Sequence, residues 1–127
     1  MKKIFVEDNM YHQHFYMVYN CTEKELQNYI NKTFQFEITV SANDGSRYWL
    51  EDKEKNENTF IIWLKNYSGK IKEESLLVHE LFHQAMSVMD ILGIKFKIDV
   101  SEEAFAYYLQ HIHEQCLTEL KSSNKKK

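Results

Sequence analysis

At 127 residues, with 43% apolar and 28% charged side chains, the chain has the size and composition of one globular domain. A formal charge of −3, with no basic stripe before Lys125-Lys126-Lys127, argues against a general nucleic-acid binder. No apolar run approaches the roughly 20 residues of a membrane helix, and Glu7, Asp8 and Asn9 interrupt any leader after Met1-Lys2-Lys3. The expectation is a cytoplasmic protein with no membrane partner, in which Cys21 and Cys116 are free thiols.

Ile4-Phe5-Val6 starts a short strand, and His14 to Tyr19, aromatic and β-branched, is a second. His12 and His14 share a face if that strand reaches back to them, and such a pair more often faces solvent than a metal. Thr22 and Glu25 form a capping box, and Leu26, Tyr29 and Ile30 continue as a first amphipathic helix to about Lys32. Phe36 to Val40 alternates as a strand; Asn43-Asp44-Gly45 reads as a hairpin turn, and Ser46 to Leu50 as the returning partner. Residues 52 to 58 form a polar connection, after which Thr59 to Leu64 is the most apolar strand, central or half-covered.

A long helix follows, with Glu73 and Glu74 in its first turn and Gly93 just past its end. Ile94 to Ile98 alternates as a short extended crossing. Ser101-Glu102-Glu103-Ala104 opens a last helix to about Leu120, leaving 122–127 as a lysine-rich tail after one domain over 1–121.

The long helix carries His79-Glu80-Leu81-Phe82-His83. Histidines four apart lie one above the other on a helix, so their imidazoles can serve as two ligands of a tetrahedral Zn²⁺. Glu80, one step round, is placed to take a proton from a metal-bound water, the HExxH arrangement. Leu76, Leu77, Val78, Leu81, Phe82, Ala85, Val88, Met89 and Leu92 cover most of the circumference, so this polar strip is expected inside the protein.

Two histidines do not complete a catalytic site, which ordinarily has three protein ligands. Asp90 lies about 10 Å along the helix from His83, too far to share an ion. Glu102 and Glu103, at the start of the next helix, are better placed, and either can alternatively be a first-turn carboxylate favoured by the helix dipole.

In Val78-His79-Glu80-Leu81-Phe82-His83 and Glu103-Ala104-Phe105-Ala106-Tyr107, within about residues 75 to 110, the chain resembles the gluzincins, and among them minimal metallopeptidase-like proteins of phages and prophages. The resemblance implies hydrolysis of a peptide or protein substrate with Zn²⁺ held by His79, His83 and Glu103, and with Glu80 as base and proton shuttle. Tyr107 stands where larger gluzincins place an aspartate that supports a ligating histidine. Tyr107 and His111 share the helical face of Glu103 and are the candidates to orient a ligand or stabilise an oxyanion.

The expected fold is α+β and zincin-like. It comprises a small, mainly antiparallel sheet with an N-terminal helix, the HExxH helix and a C-terminal glutamate helix. A peptide would lie along an edge strand, for which Thr59 to Leu64 is the candidate. The alternative is an inactive metallopeptidase-like module that binds zinc or a protein partner.

Overall fold

The computed structural model describes residues 1–125. Among them are four strands, β1 (Lys2–Glu7), β2 (His14–Tyr19), β3 (Gly45–Asp52) and β4 (Glu57–Leu64), and three helices, α1 (Glu23–Phe34), α2 (Ile71–Ile91) and α3 (Glu102–Lys125). They form an α+β fold around one mixed sheet of order β1-β2-β4-β3, antiparallel at both outer pairings and parallel between β2 and β4. No helix among the described residues is long and apolar enough to cross a membrane.

Period-two alternation builds two cores, one on each face of the sheet. Phe15, Met17 and Tyr19 of β2, with Phe60, Ile62 and Leu64 of β4, face α2 and α3. Val18, Ile61 and Trp63 point the other way, onto Leu26 and Ile30 of α1. Five consecutive buried residues in β4, Phe60 to Leu64, are what a central strand covered on both faces requires. On the α1 side the Trp63 indole N–H donates to the Cys21 carbonyl at 3.2 Å.

The Thr22–Glu25 capping box starts α1 as expected. The next segment differs from expectation: Phe36 to Val40 is not a strand. Its amides bond to α1 side chains instead, Ile38 N–H to Asn31 Oδ1 and Val40 N–H to Gln27 Oε1, each at 3.2 Å. The hairpin therefore forms one element later, between β3 and β4, where Asp52 Oδ1 accepts from the Glu54 and Lys55 amides to close the turn. β4 lies between β2 and β3, so it has no free edge to offer a peptide; the open edge nearest α2 belongs to β3.

Gly45, where β3 begins, permits a close approach. A Cβ there would lie 2.8 Å from Leu64 Cδ2, 3.0 Å from Leu76 Cδ2 and 3.0 Å from the Trp63 carbonyl oxygen. The leucine methyls can yield, but the carbonyl belongs to the central strand. Gly45→Ala is expected to cost about 1–3 kcal/mol of stability through overpacking, read as a lower midpoint in thermal unfolding followed by circular dichroism.

β2 begins at His14, so His12 lies outside it in left-handed backbone (φ 58°) and the two histidines do not share a strand face. The His14 ring packs near Phe5 and Tyr16. Residues 94 to 98 do not form a strand. They join the helices as a loop in which Ser101 Oγ accepts from the Lys97 amide and donates to the Lys95 carbonyl. α3 continues past Leu120 to Lys125, so residues 122 to 125 extend the helix rather than a tail; 126 and 127 lie outside the described residues. Cys21 and Cys116 are free and buried, and burial pushes the Cys116 thiol up to about 12.

Candidate metal centre

α2 is aimed by its two ends. At its start the Glu73 carboxylate accepts from the Ser68 amide at 2.7 Å, the Ser68 hydroxyl at 3.1 Å and the Lys70 amide at 3.2 Å, fastening the loop that leads into the helix to its first turn. At its end Gly93 takes φ +75°, and the Ile94 amide returns to the Met89 carbonyl at 2.9 Å.

Leu77, Leu81 and Val88 pack toward the sheet, and α3 covers a second sector. The third sector of the helix stays open. His79 and His83 lie there, exposed, together with Val78 and Phe82. The polar strip is thus split, against the expectation of burial all round: both histidines face out, and only Glu80 is buried, at 6% exposure. The apolar count misleads because Val78 and Phe82 are only partly covered, at 38% and 50% exposure.

The two imidazoles converge. Their Nε2 atoms are 3.2 Å apart and the rings are nearly perpendicular, at 77°. One ring can donate a hydrogen bond to the other at that distance. A tetrahedral ion with Zn–N bonds of about 2.0–2.1 Å spans about 3.3–3.4 Å between two ligand nitrogens, so the pair also fits a metal as two of its ligands.

Burial raises the Glu80 carboxyl above the usual carboxylate range, while the charges of His79, His83 and Arg47 offset part of that rise. Beside His79 a cleft of about 520 Å³ opens between the start of α2 and the turn before β3, lined by Asp44, Asn66, Lys72, Glu73, Leu76 and His79.

Glu103 is exposed, and among the described residues no three His, Cys, Asp or Glu side chains are grouped to hold a metal. Of the two first-turn glutamates, Glu102 is on the side turned to α2, sharing an apolar hollow with Phe82, Met86, Ala106 and Leu109. Tyr107 is 61% exposed. His111 borders a different hollow with Val6, Glu7 and Glu114, on the β1 side of α3. Neither Tyr107 nor His111 is grouped with the histidine pair.

Two residues of this region are missed by the motif reading of the sequence. Arg47 of β3 pairs across the ladder with Ile62 and lies over the Phe60 ring, 5.7 Å from its centroid, so it projects from the sheet face that α2 covers. Gln84, one turn beyond Glu80, is 1% exposed, and neither its amide nitrogen nor its amide oxygen has a partner among the described residues. A helical-wheel reading places Gln84 on the Glu80 side; nothing in the strand pattern marks Arg47.

Comparison with protein-family models, with curated proteins and with solved structures yields no significant match, so the reading of this site rests on its own residues and geometry.

Proposed function

We propose that the protein is a zinc-dependent peptide hydrolase of zincin-like design, working in a reducing compartment such as the cytoplasm, which its two buried free thiols suit. The observation that carries this reading is the 3.2 Å convergence of His79 and His83 on an open helix sector, with the Glu80 carboxylate one residue away. His79 and His83 would hold the ion through Nε2. A third ligand would come from the first turn of α3: the gluzincin resemblance assigns Glu103, whereas position on the helix favours Glu102. Bound zinc supplies Lewis acidity and lowers the pKa of coordinated water.

The chain's own residues do the rest. Glu80 accepts the proton of the attacking water and returns it to the leaving amine. Its partial burial excludes bulk water from that exchange. The open edge of β3 can add an extended peptide by backbone pairing, beside the helix that bears the histidines.

The outward position of Glu103 also suits a second reading, a module that binds metal or a protein partner without turnover. Elemental analysis of untagged protein tests the first step. One zinc per chain is expected, lost in His79→Ala and His83→Ala and in one of Glu102→Ala or Glu103→Ala. No zinc after incubation with excess metal at neutral pH would overturn the hydrolase reading. Zinc without cleavage across a peptide library would leave the binding module.

A further inference from the structure

A hydrolase of this kind needs more than a base and an ion. When water adds to an amide carbonyl, the π electron pair moves onto oxygen, and a donor aimed at that oxyanion lowers the barrier. The sequence offers Tyr107 and His111 for this task, but neither is grouped with the histidines.

Arg47 has the position and the chemistry. It comes from β3, the strand whose open edge flanks α2, and its guanidinium is near enough to Glu80 for each to act on the other's charge. Its Nη1 is shielded from solvent and has no hydrogen-bond partner among the described residues. Within those residues no carboxylate comes within ion-pair distance of it; the ion pair among them joins Lys65 to Glu23. Phe60 supports the group through its ring face, which fixes the fork without satisfying its N–H donors.

A half-buried guanidinium with unused donors is unfavourable unless an acceptor arrives. Building on the hydrolase reading, we infer that Arg47 is the oxyanion receptor of this site, donating to the scissile carbonyl oxygen of a peptide laid along β3 as that oxygen gains charge. The water oxygen bonds to the carbonyl carbon, and Glu80 takes the water's proton. When the oxygen's electron pair returns, the C–N bond breaks and the amine leaves with that proton. Burial lowers the Arg47 pKa from its ordinary value and the Glu80 charge offsets part of that fall; the guanidinium acts as a hydrogen-bond donor and transfers no proton.

The test measures binding and turnover separately on zinc-loaded protein. A phosphinic dipeptide analogue, whose tetrahedral phosphinate carries the negative oxygens, is titrated calorimetrically into wild type, Arg47→Ala and Arg47→Lys, with the uncharged parent peptide as control. The phosphinate is expected to bind about 100-fold more weakly to Arg47→Ala, with Arg47→Lys between, while the parent peptide binds all three alike. On a cleaved peptide, Arg47→Ala is expected to lose about 10²–10³ in kcat with KM little changed, and millimolar guanidinium to restore part of it. A purely structural role for Arg47 would give no such rescue.

Equal phosphinate affinity in wild type and both variants, or no phosphinate binding to wild type, overturns the inference. Turnover insensitive to Arg47 overturns it and leaves the hydrolase reading standing. Arg47-dependent phosphinate binding with no cleavage of any peptide removes the hydrolase reading and overturns the oxyanion role with it, leaving Arg47 as an anion contact.

Discussion

Glu80→Gln is expected to keep its zinc and lose at least about 10²–10⁴ of its peptide turnover, the range that a positioned general base contributes. The glutamine keeps the shape of the side chain and removes only the ability to accept the proton, so metal content and fold are the internal controls. Full activity in Glu80→Gln would show that the carboxylate is not the base.

The same variant has a signature in the metal-free protein. Burial holds the Glu80 carboxyl above its unfolded value, so the native state favours the neutral acid. Below the unfolded value, about pH 4.3, the group is neutral in both states and contributes nothing unfavourable. As pH rises above it, the unfolded chain releases its proton first and stability falls, until pH passes the folded value. Metal-free Glu80→Gln is therefore expected to melt higher than wild type at pH 7, with the gap closing below pH 4. A lower melting point at pH 7 would mean that the carboxylate is held by the fold rather than tolerated by it.

Asp8→Ala is expected to be the most damaging single change to the fold outside the hydrophobic cores. Asp8 is 2% exposed, and its carboxylate accepts from the Tyr11 amide at 2.6 Å, the Gln13 amide at 3.2 Å and the Tyr108 hydroxyl at 2.7 Å. The first two bonds shape the β1–β2 connection, and the third ties it to α3, a hundred residues along the chain. Alanine leaves three donors without their acceptor, the Tyr108 hydroxyl fully buried and the two loop amides part-buried, at about 1–3 kcal/mol for each that stays unsatisfied. Partial relaxation of the loop makes a total of about 3–5 kcal/mol the expected loss, visible as a reduced midpoint in urea. Tyr108→Phe removes one of these bonds and is expected to cost about 1.5–3 kcal/mol, the value of a hydrogen bond to a charged group. A loss in Asp8→Ala no larger than that in Tyr108→Phe would show that the loop amides find other partners.

The sequence by itself determined the elements whose signals are local. The capping box at Thr22, the apolar run of β4, the glycine stop at Gly93 and the i, i+4 spacing of His79 and His83 each reflect a few neighbouring side chains and the period of one element. Tertiary structure decided whatever depended on which neighbour arrived. Phe36 to Val40 has a strand's alternation, yet Asn31 and Gln27 of α1 satisfy its amides first, and β3 pairs with β4 instead. The apolar surround of α2 suggests burial on every side, but only the sheet and α3 cover it, so the histidines emerge at the surface and Glu80 does not. Arg47 reaches that site, and Asp8 reaches Tyr108, only because sheet order places β3 beside α2 and α3 over β1. No spacing along the chain encodes those meetings, because they are set by how the layers pack.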